Sequence, residues 1–451
     1  MELLLVSDSY GNLGDLSMAE GVVRQLRDLL PRARIHSIVP LSVRTAIWDV
    51  PGVIRQAPYT VWPFAAGALS HVPFFRHDSD FGLGTASLLT MSGLGRLLRA
   101  GSLSLYLEDT AQTTIRKLAQ FCQQFDALHI AGGGNLTDTF PRELFKKCCL
   151  IHAFAEQRKP IVLTGQQLGP FRSRLLRKAL GRALRKANFV GVRDMGESLT
   201  FCSNAHLDQG SFAFMGDDSL GLPPADDSSV RELLEQHGLR ANQFLALNLR
   251  FTSYALKDPS CFQTFGSLVD NLATFLGMPV LVVPIQLTGW DSDVVSGQKI
   301  AGASSAPISV MHGSGLTAPL VKGILEKAFG AIGVSHHFCT YALSQGVPAV
   351  CIYEGDYYKQ KARALAASWG DSRLALPLRR LELATAAKDI ACILKDETLR
   401  AHLVSLSKTA TQRWRELLHQ KVMAAYGPPK LEPERRDSAG ESRTPDFPVR
   451  S

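Results

Sequence analysis

The sequence predicts an α/β protein of two doubly wound domains that face each other across a cleft. Three observations carry this. Short β-branched or leucine-rich runs alternate with longer amphipathic segments, the pattern of βα units wound into parallel sheets. A chain of 451 residues is long for one hydrophobic core, which points to two domains. The composition breaks at residues 221–229, where Pro223, Pro224, Asp226 and Asp227 interrupt the rhythm like a linker before a second series of strands begins.

Before the break, strands are expected at residues 3–7, 35–39, 127–130, 161–164 and 189–192, with a helix over 18–30. After it, they are expected at 244–249, 280–284, 331–334 and 349–353, with helices over 261–276, 318–329 and 339–345. This sets an N-terminal domain at 1–224 and a C-terminal domain at 225–426. Rossmann-like sheets of this kind bind ligands beyond the carboxyl ends of their strands, so the strand-to-helix loops are the place to look for function. Residues 62–104, with Trp62, Phe64, Phe74, Phe75 and Phe81 among glycines and serines, read as an insertion that either caps the cleft or packs as an ordinary excursion. The proline-rich, charged stretch 427–451 reads as a disordered tail.

With 45% hydrophobic and 20% charged residues, global disorder is excluded. The net charge of +8 favours anionic partners. Part of it sits in Arg172, Arg174, Arg177, Lys178, Arg182, Arg185 and Lys186, whose helical spacing makes one exposed face, either solvated or set against an anionic membrane or substrate. The eight cysteines show neither Cys-x-x-Cys nor a zinc-like Cys/His spacing, so free buried thiols and no metal site are expected. Residues 1–9 carry Glu2 where a signal peptide would place positive charge, so they read as a first strand of a cytoplasmic protein. No run of about 18 apolar residues offers a spanning helix.

Three loops fall on one edge of the first sheet. Gly11-Asn12-Leu13-Gly14-Asp15 lies between the first strand and the first helix, where glycines let a ligand approach and the helix presents free N–H groups. Gly132-Gly133-Gly134-Asn135, followed by Asp138, reads as a ligand-facing loop, since three glycines cost entropy that is tolerated best where side chains would block something. Gly165-Gln166-Gln167-Leu168-Gly169-Pro170 follows the next strand in the same way. In the second half, Arg250 ends a strand and suits bidentate capture of a carboxylate or phosphate. Ser335, His336 and His337 precede a helix, where an anion and a proton can be handled together. Past the next strand, Tyr357, Tyr358, Lys359 and Lys361 either bind phosphate or cover the surface.

In order, Gly-Asn-x-Gly-Asp, Gly-Gly-Gly-Asn, Gly-Gln-x-x-Gly-Pro, Val192-Arg-Asp through Ser198, Gly216-Asp-Asp, Arg250 and Ser335-x-His337 with Gly346-Val-Pro resemble the polysaccharide pyruvyl transferase family. The resemblance runs from the first strand to about Lys361. It implies a GT-B-like fold and a transferase that moves the enolpyruvyl unit of phosphoenolpyruvate onto sugar hydroxyls, forming a pyruvate ketal in envelope or exopolysaccharide biosynthesis. No cofactor or metal is implied, only phosphoenolpyruvate as donor. The partners implied are that donor and a glycan or lipid-linked saccharide acceptor, with no nucleic acid and with room for a peripheral contact on the inner membrane face. By motif, His337 handles a proton and Asp15 assists catalysis. Arg250, Ser335 and Lys361 bind the donor on the C-terminal side. Asn12, Asn135, Asp138 and Gln166 hold the acceptor on the N-terminal side. Ser335 stands where many members have arginine, so Lys361 or Lys359 would supply the missing charge. Two alternatives remain open from the residues: a GT-B glycosyltransferase using a nucleotide sugar, with Glu354 as the nearby ribose ligand, and a non-catalytic carbohydrate-binding protein.

Overall fold

The computed structural model describes residues 1–7, 11–38, 53–56, 118–252, 254–256, 258–289, 291–378 and 383–427, in which the apolar runs form two sheets of parallel strands. The insertion expected at 62–104 and the tail beyond Gly427 lie outside the described residues. The first sheet holds β1 (Glu2–Val6), β2 (Arg34–Ile38), β3 (Val53–Gln56), β4 (Ala127–Ile130), β5 (Gly133–Leu136), β6 (Ile161–Leu168), β7 (Phe189–Val192) and β8 (Phe212–Phe214). Its order is β3-β2-β1-β4-β6-β7-β8, with β5 paired to β6. Its helices are α1 (Leu13–Leu29), α2 (Pro141–Glu156), α3 (Arg174–Leu184) and α4 (Glu197–Asn204).

The second sheet holds β9 (Leu245–Asn248), β10 (Val280–Val282), β11 (Ile308–Val310), β12 (Gly330–Gly333), β13 (Ala349–Tyr353) and β14 (Ala375–Pro377), in the order β11-β10-β9-β12-β13-β14. Its helices are α5 (Asp227–Gln236), α6 (Cys261–Leu276), α7 (Asp293–Ala303), α8 (Ala318–Glu326), α9 (His336–Ser344), α10 (Gly355–Ser368), α11 (Leu383–Leu394) and α12 (Glu397–Tyr426). This is the Rossmann winding, and the order in which strands are added reverses between β1 and β4 in one sheet and between β9 and β12 in the other. The loops at these reversals carry Gly11–Asp15 and Gly132 on one side, Arg250 and Ser335–His337 on the other.

Period-two alternation assigns each strand residue to a face. Leu4, Val6, Leu128 and Ile130 enter a core shared with α2 and α3. Leu3, Leu5, Ala127 and Phe189 point the other way, into a core that continues through α1 and α12 into the second domain. The last helix is therefore not confined to the domain its sequence position suggests. It lays Trp414, Leu418, Val422 and Tyr426 against the first sheet's side, with the Trp414 indole donating to Asp218 at 2.8 Å and the Tyr426 hydroxyl to the Leu128 carbonyl at 2.6 Å.

Four expectations change. The break at 221–229 is not all linker: the Asp226 carboxylate accepts the Ser229 N–H at 2.9 Å and starts α5. β6 runs on through Leu168, because Gly165 takes a φ of 55° and bulges the strand instead of ending it. Gly133–Leu136 is itself the short strand β5, not a loop. Of the eight cysteines, seven are buried free thiols, while Cys392 is exposed. Helix α3 buries Leu176, Leu180 and Leu184 and leaves Arg174, Arg177, Lys178 and Arg182 in solvent. Among the described residues no helix is long and apolar enough to cross a membrane.

Candidate active site

The first loop is strapped to the second domain. The Asn12 carbonyl oxygen of the side chain caps α1 by accepting the N–H groups of Gly14 (2.8 Å) and Asp15 (3.3 Å), while its amide donates to the Gln286 side chain at 3.1 Å. On either side, the Leu13 N–H donates to the Ile285 carbonyl and the Leu287 N–H to the Gly11 carbonyl. Asn12 thus caps α1 and ties the two domains together with one side chain. A cap of this type is worth about 1 kcal/mol.

Where the domains meet, Asp217 is 6% exposed and central. Arg193 pairs with it at 3.0 Å and donates a second time to the Gln167 side chain at 2.6 Å. The Nε2 atoms of His336 and His337 each stand 3.7 Å from the same carboxylate oxygen. His337 packs so closely on α1 that a Cβ at Gly14 would lie 2.0 Å from its Nδ1. Lys361 reaches in over the Tyr357 ring, 4.2 Å from its centroid, and the Tyr357 hydroxyl donates to the Gly134 carbonyl at 3.0 Å. A Cβ at Gly134 would come within 2.9 Å of the Lys361 Nζ and 3.0 Å of the Tyr357 hydroxyl. At Gly132 it would meet the Met18 sulfur at 2.8 Å. The glycine run thus makes room for protein groups from the facing elements, Lys361 and Tyr357 among them.

The charges are unevenly settled. Burial opposes ionisation of Asp217, yet His336, His337 and Arg193 facing it hold its carboxyl well below the usual range. Burial and the Arg193 charge push His336 down to about 3, and burial holds His337 well below its ordinary value in spite of Asp217. Burial and the Arg193 charge thus work against protonation of both imidazoles, and Asp217 works for it. Burial, with Arg193, presses Lys361 down to about 7, against the pull of Asp15 and Asp217. A lysine poised there exchanges its proton at neutral pH. Asp218, one residue on, takes three donors, from Gly132 (2.7 Å), Thr164 (2.6 Å) and Trp414 (2.8 Å), and burial still raises it to about 7.

Arg250 forms a neighbouring cluster at the end of β9. Its guanidinium donates to the Asp291 carbonyl (2.7 Å), the Asp291 carboxylate (2.8 Å) and the Tyr254 hydroxyl (3.0 Å), with Asp293 at 3.6 Å. Burial works against its charge, and Asp293 and the tyrosines nearby outweigh that. The fork is occupied, so an incoming anion would have to displace Asp291. Tyr254 links this cluster to Tyr357, their rings 6.1 Å apart.

The structure thus brings His337 to Asp217, sets Lys361 where both Asp15 and Asp217 act on its charge, and places the Arg250 cluster nearby, linked through Tyr254 and Tyr357. Ser335 stands at the start of α9 with its backbone N–H on the Asn248 side chain at 3.2 Å and no side-chain cap bond. Asn135 is half-buried in β5. Asp138 accepts the N–H groups of Arg172 and Ser173, and so fixes the turn into α3. The Gln166 amide is buried on the carbonyls of Ile130, Ala131 and Thr164, locking the β6 bulge. These contacts give Asp138 and Gln166 structural work, while one side-chain oxygen of each, Asp138 Oδ1 and Gln166 Oε1, is buried without a hydrogen-bond partner. Arg193 and Asp217 carry the site without having been assigned a role from sequence, although both lie inside the quoted motifs at 192–198 and 216–218. Among the described residues no group of three or more His, Cys, Asp or Glu is placed to hold a metal ion.

The family model described as polysaccharide pyruvyl transferase matches residues 12–356. No curated protein matches the chain. Among solved structures, the calicheamicin glycosyltransferase CalG4 is similar at 13% identity and a TM-score of 0.51, over 96% of this chain and 99% of that one. The UDP-GlcNAc 2-epimerase from Neisseria meningitidis bound to UDP-GlcNAc is similar at 10% identity and a TM-score of 0.55, over 94% and 100%. The UDP-GlcNAc 2-epimerase from Methanocaldococcus jannaschii gives 8% and 0.52, over 88% and 94%. At such identities the likeness is one of fold, the GT-B frame of two facing doubly wound domains.

Proposed function

The chain belongs to the polysaccharide pyruvyl transferase family, and we propose that it transfers the enolpyruvyl group of phosphoenolpyruvate to sugar hydroxyls, making a pyruvate ketal on an envelope or exopolysaccharide precursor in the cytoplasm. One observation carries the reading. Where the two domains face each other, the imidazoles of His336 and His337 and the Arg193 guanidinium converge on the ionised carboxylate of Asp217, all within the family-matched span, and the near-neutral Lys361 lies just beyond that span in sequence and feels the same carboxylate.

The chemistry needs those groups. A proton added to the methylene carbon of the donor makes its C2 electrophilic. A sugar hydroxyl adds there and gives up its proton, phosphate departs with the C2–O bond electrons, and a second hydroxyl closes the ketal with loss of another proton. The net products are the ketal and one phosphate. His337 is the proton-handling group in this reading, oriented by Gly14 and backed by Asp217, which stabilises an imidazolium once formed. Lys361 in its charged form and Arg250, once released from Asp291, face the donor's phosphate and carboxylate. Asp15, in the first turn of α1, lies on the acceptor side.

The test is direct. Purified protein, phosphoenolpyruvate and a lipid-linked or free oligosaccharide are incubated, phosphate release is followed, and the glycan is examined by proton NMR for a ketal methyl singlet. Phosphate and ketal appearing in equal amounts supports the proposal. Turnover of a UDP-sugar in its place, with the donor untouched, removes it.

A further inference from the structure

Beside the Asp217–Arg193 pair lies a cavity of about 40 Å³, walled by Gln167, Arg193 and Asp217 of the first domain and by His336, Ser368 and Arg413 from α9, α10 and α12. Neither His337 nor Lys361 lines it. Five of those side chains carry a buried polar atom with no hydrogen-bond partner: Gln167 Nε2, Arg193 Nε, His336 Nδ1, Ser368 Oγ and Arg413 Nε. Gln167, Arg193 and His336 are 1%, 5% and 7% exposed, so water outside the protein does not satisfy them.

We propose that this cavity, which shares Asp217, Arg193 and His336 with the transfer cluster but not His337 or Lys361, is a second binding site, and that it takes a tetrahedral oxyanion of the phosphate class. The donor chemistry argues for an acceptor-rich guest. Arginine offers only donors, and the Gln167 Oε1 accepts from Arg193, which fixes its Nε2 as a donor too. Three of the five atoms are therefore donors by necessity, and the Ser368 hydroxyl can join them. Each buried donor left unmade is costly, and several on one wall are a standing liability unless something accepts from them.

The carboxylates on the wall are already engaged, and Arg413 is not. Asp217 is taken by Arg193. Asp194, also on the wall, already accepts from the Gly196 and Ser198 N–H groups and the Ser198 hydroxyl. Arg413 lies over the Phe214 ring, 4.7 Å from its centroid, and has no carboxylate within ion-pair distance among the described residues. The two arginines and two carboxylates of the wall balance formally, so the guest is held by the unpaired donors and not by a net charge. Bound water is the competing occupant, since a cavity of this size holds water too, but a water accepts at most two of the donors.

The proposal is tested without turnover. The melting temperature of the full-length protein is measured in inorganic phosphate and in chloride at matched ionic strength. Saturating phosphate is expected to raise it by roughly 2–5 °C. Arg413→Met, which keeps an apolar stem over Phe214, should abolish the rise, and Ser368→Ala should weaken phosphate binding by about 3–10-fold. A crystal grown with phosphate should show the anion on Gln167, Arg193 and Arg413. No rise in the wild type, an equal rise in Arg413→Met, or ordered water alone in the cavity would each overturn the proposal. Should Arg413→Met fail to fold, the Ser368→Ala titration and the crystal decide.

Discussion

Gly14→Ala separates the fold of α1 from the geometry of the site. Gly14 sits in a helix, where alanine is intrinsically favoured by about 1 kcal/mol, so local propensity alone predicts a small gain in stability. The added methyl would lie 2.0 Å from the His337 Nδ1 and 2.2 Å from its Cγ, against roughly 3.4 Å or more for an ordinary contact. The imidazole must therefore retreat by about 1.4 Å. A shift of that size at a group positioned for proton transfer costs on the order of 10²-fold in rate, while overpacking costs about 1–3 kcal/mol, partly offset by the helix gain. The assay pairs urea unfolding with phosphate release from phosphoenolpyruvate in the presence of acceptor. A folded variant within about 2 kcal/mol of wild type but slowed roughly 100-fold is expected. Undiminished turnover in Gly14→Ala would refute the placement of His337 at the reacting centre.

The other expectations rest on the same cluster. His337→Asn should lower kcat by about 10²–10⁴-fold and His336→Asn far less, as read from steady-state rates; equal damage, or the reverse order, contradicts the assignment. Because Asp291 occupies the Arg250 fork at 2.8 Å, Asp291→Asn should lower the KM for the donor, and Arg250→Lys should weaken donor binding by about 1.5–3 kcal/mol. Calorimetric titration of both variants that shows no change would remove Arg250 from the donor site. Lys361, pressed down to about 7, is charged below that pH and neutral above it, so the donor KM should climb as pH rises through about 7. In Lys361→Arg that limb should vanish, and its persistence would assign it elsewhere. The exposed bases of α3 should bring the protein down with anionic vesicles at low salt and release it at high salt, whereas no sedimentation at low ionic strength counts against a membrane contact.

The sequence was informative where pattern and partner are both local. β4, β7, β13 and α6 fall at the expected residues, because each is an apolar run or stripe closed by a turn signal. β5 and the second half of β6 were illegible for a physical reason. Glycines and buried glutamines carry no strand signature, and what justifies them is distant, namely Met18, Tyr357 and Lys361 pressing on Gly132 and Gly134, and Asp218 pressing on Gly165. The periodicity of α12 shows which face is buried but not what covers it. Its return to the first domain depends on Trp414 meeting Asp218, 196 residues away in sequence.

The site divides the same way. His337, Lys361 and Asp15 follow from loop position and family motif. The Arg193–Asp217 pair, 24 residues apart, becomes visible as a centre only when β7 and the turn after β8 come together. Asn12 and Gln166 carry polar side chains of the kind that bind sugars, and here folding uses them: one caps a helix and bridges the domains, the other pins a bulge. Residue type alone does not distinguish those uses. Neither does it separate His336 from His337, since consecutive residues of a helix point about 100° apart and only the packing on Gly14 shows which of them meets α1.

The central claim is that a GT-B frame which elsewhere holds UDP-sugars here takes phosphoenolpyruvate. Titrating the purified protein with phosphoenolpyruvate and, in parallel, with UDP-sugars, while following the melting temperature at matched ionic strength in the Arg413→Met background, tests it most directly. Stabilisation that saturates with phosphoenolpyruvate, amounts to about 2.7 kcal/mol at 100-fold excess over Kd and is absent with UDP-sugars is the predicted result. Saturable stabilisation by a UDP-sugar, with none from phosphoenolpyruvate, would contradict it.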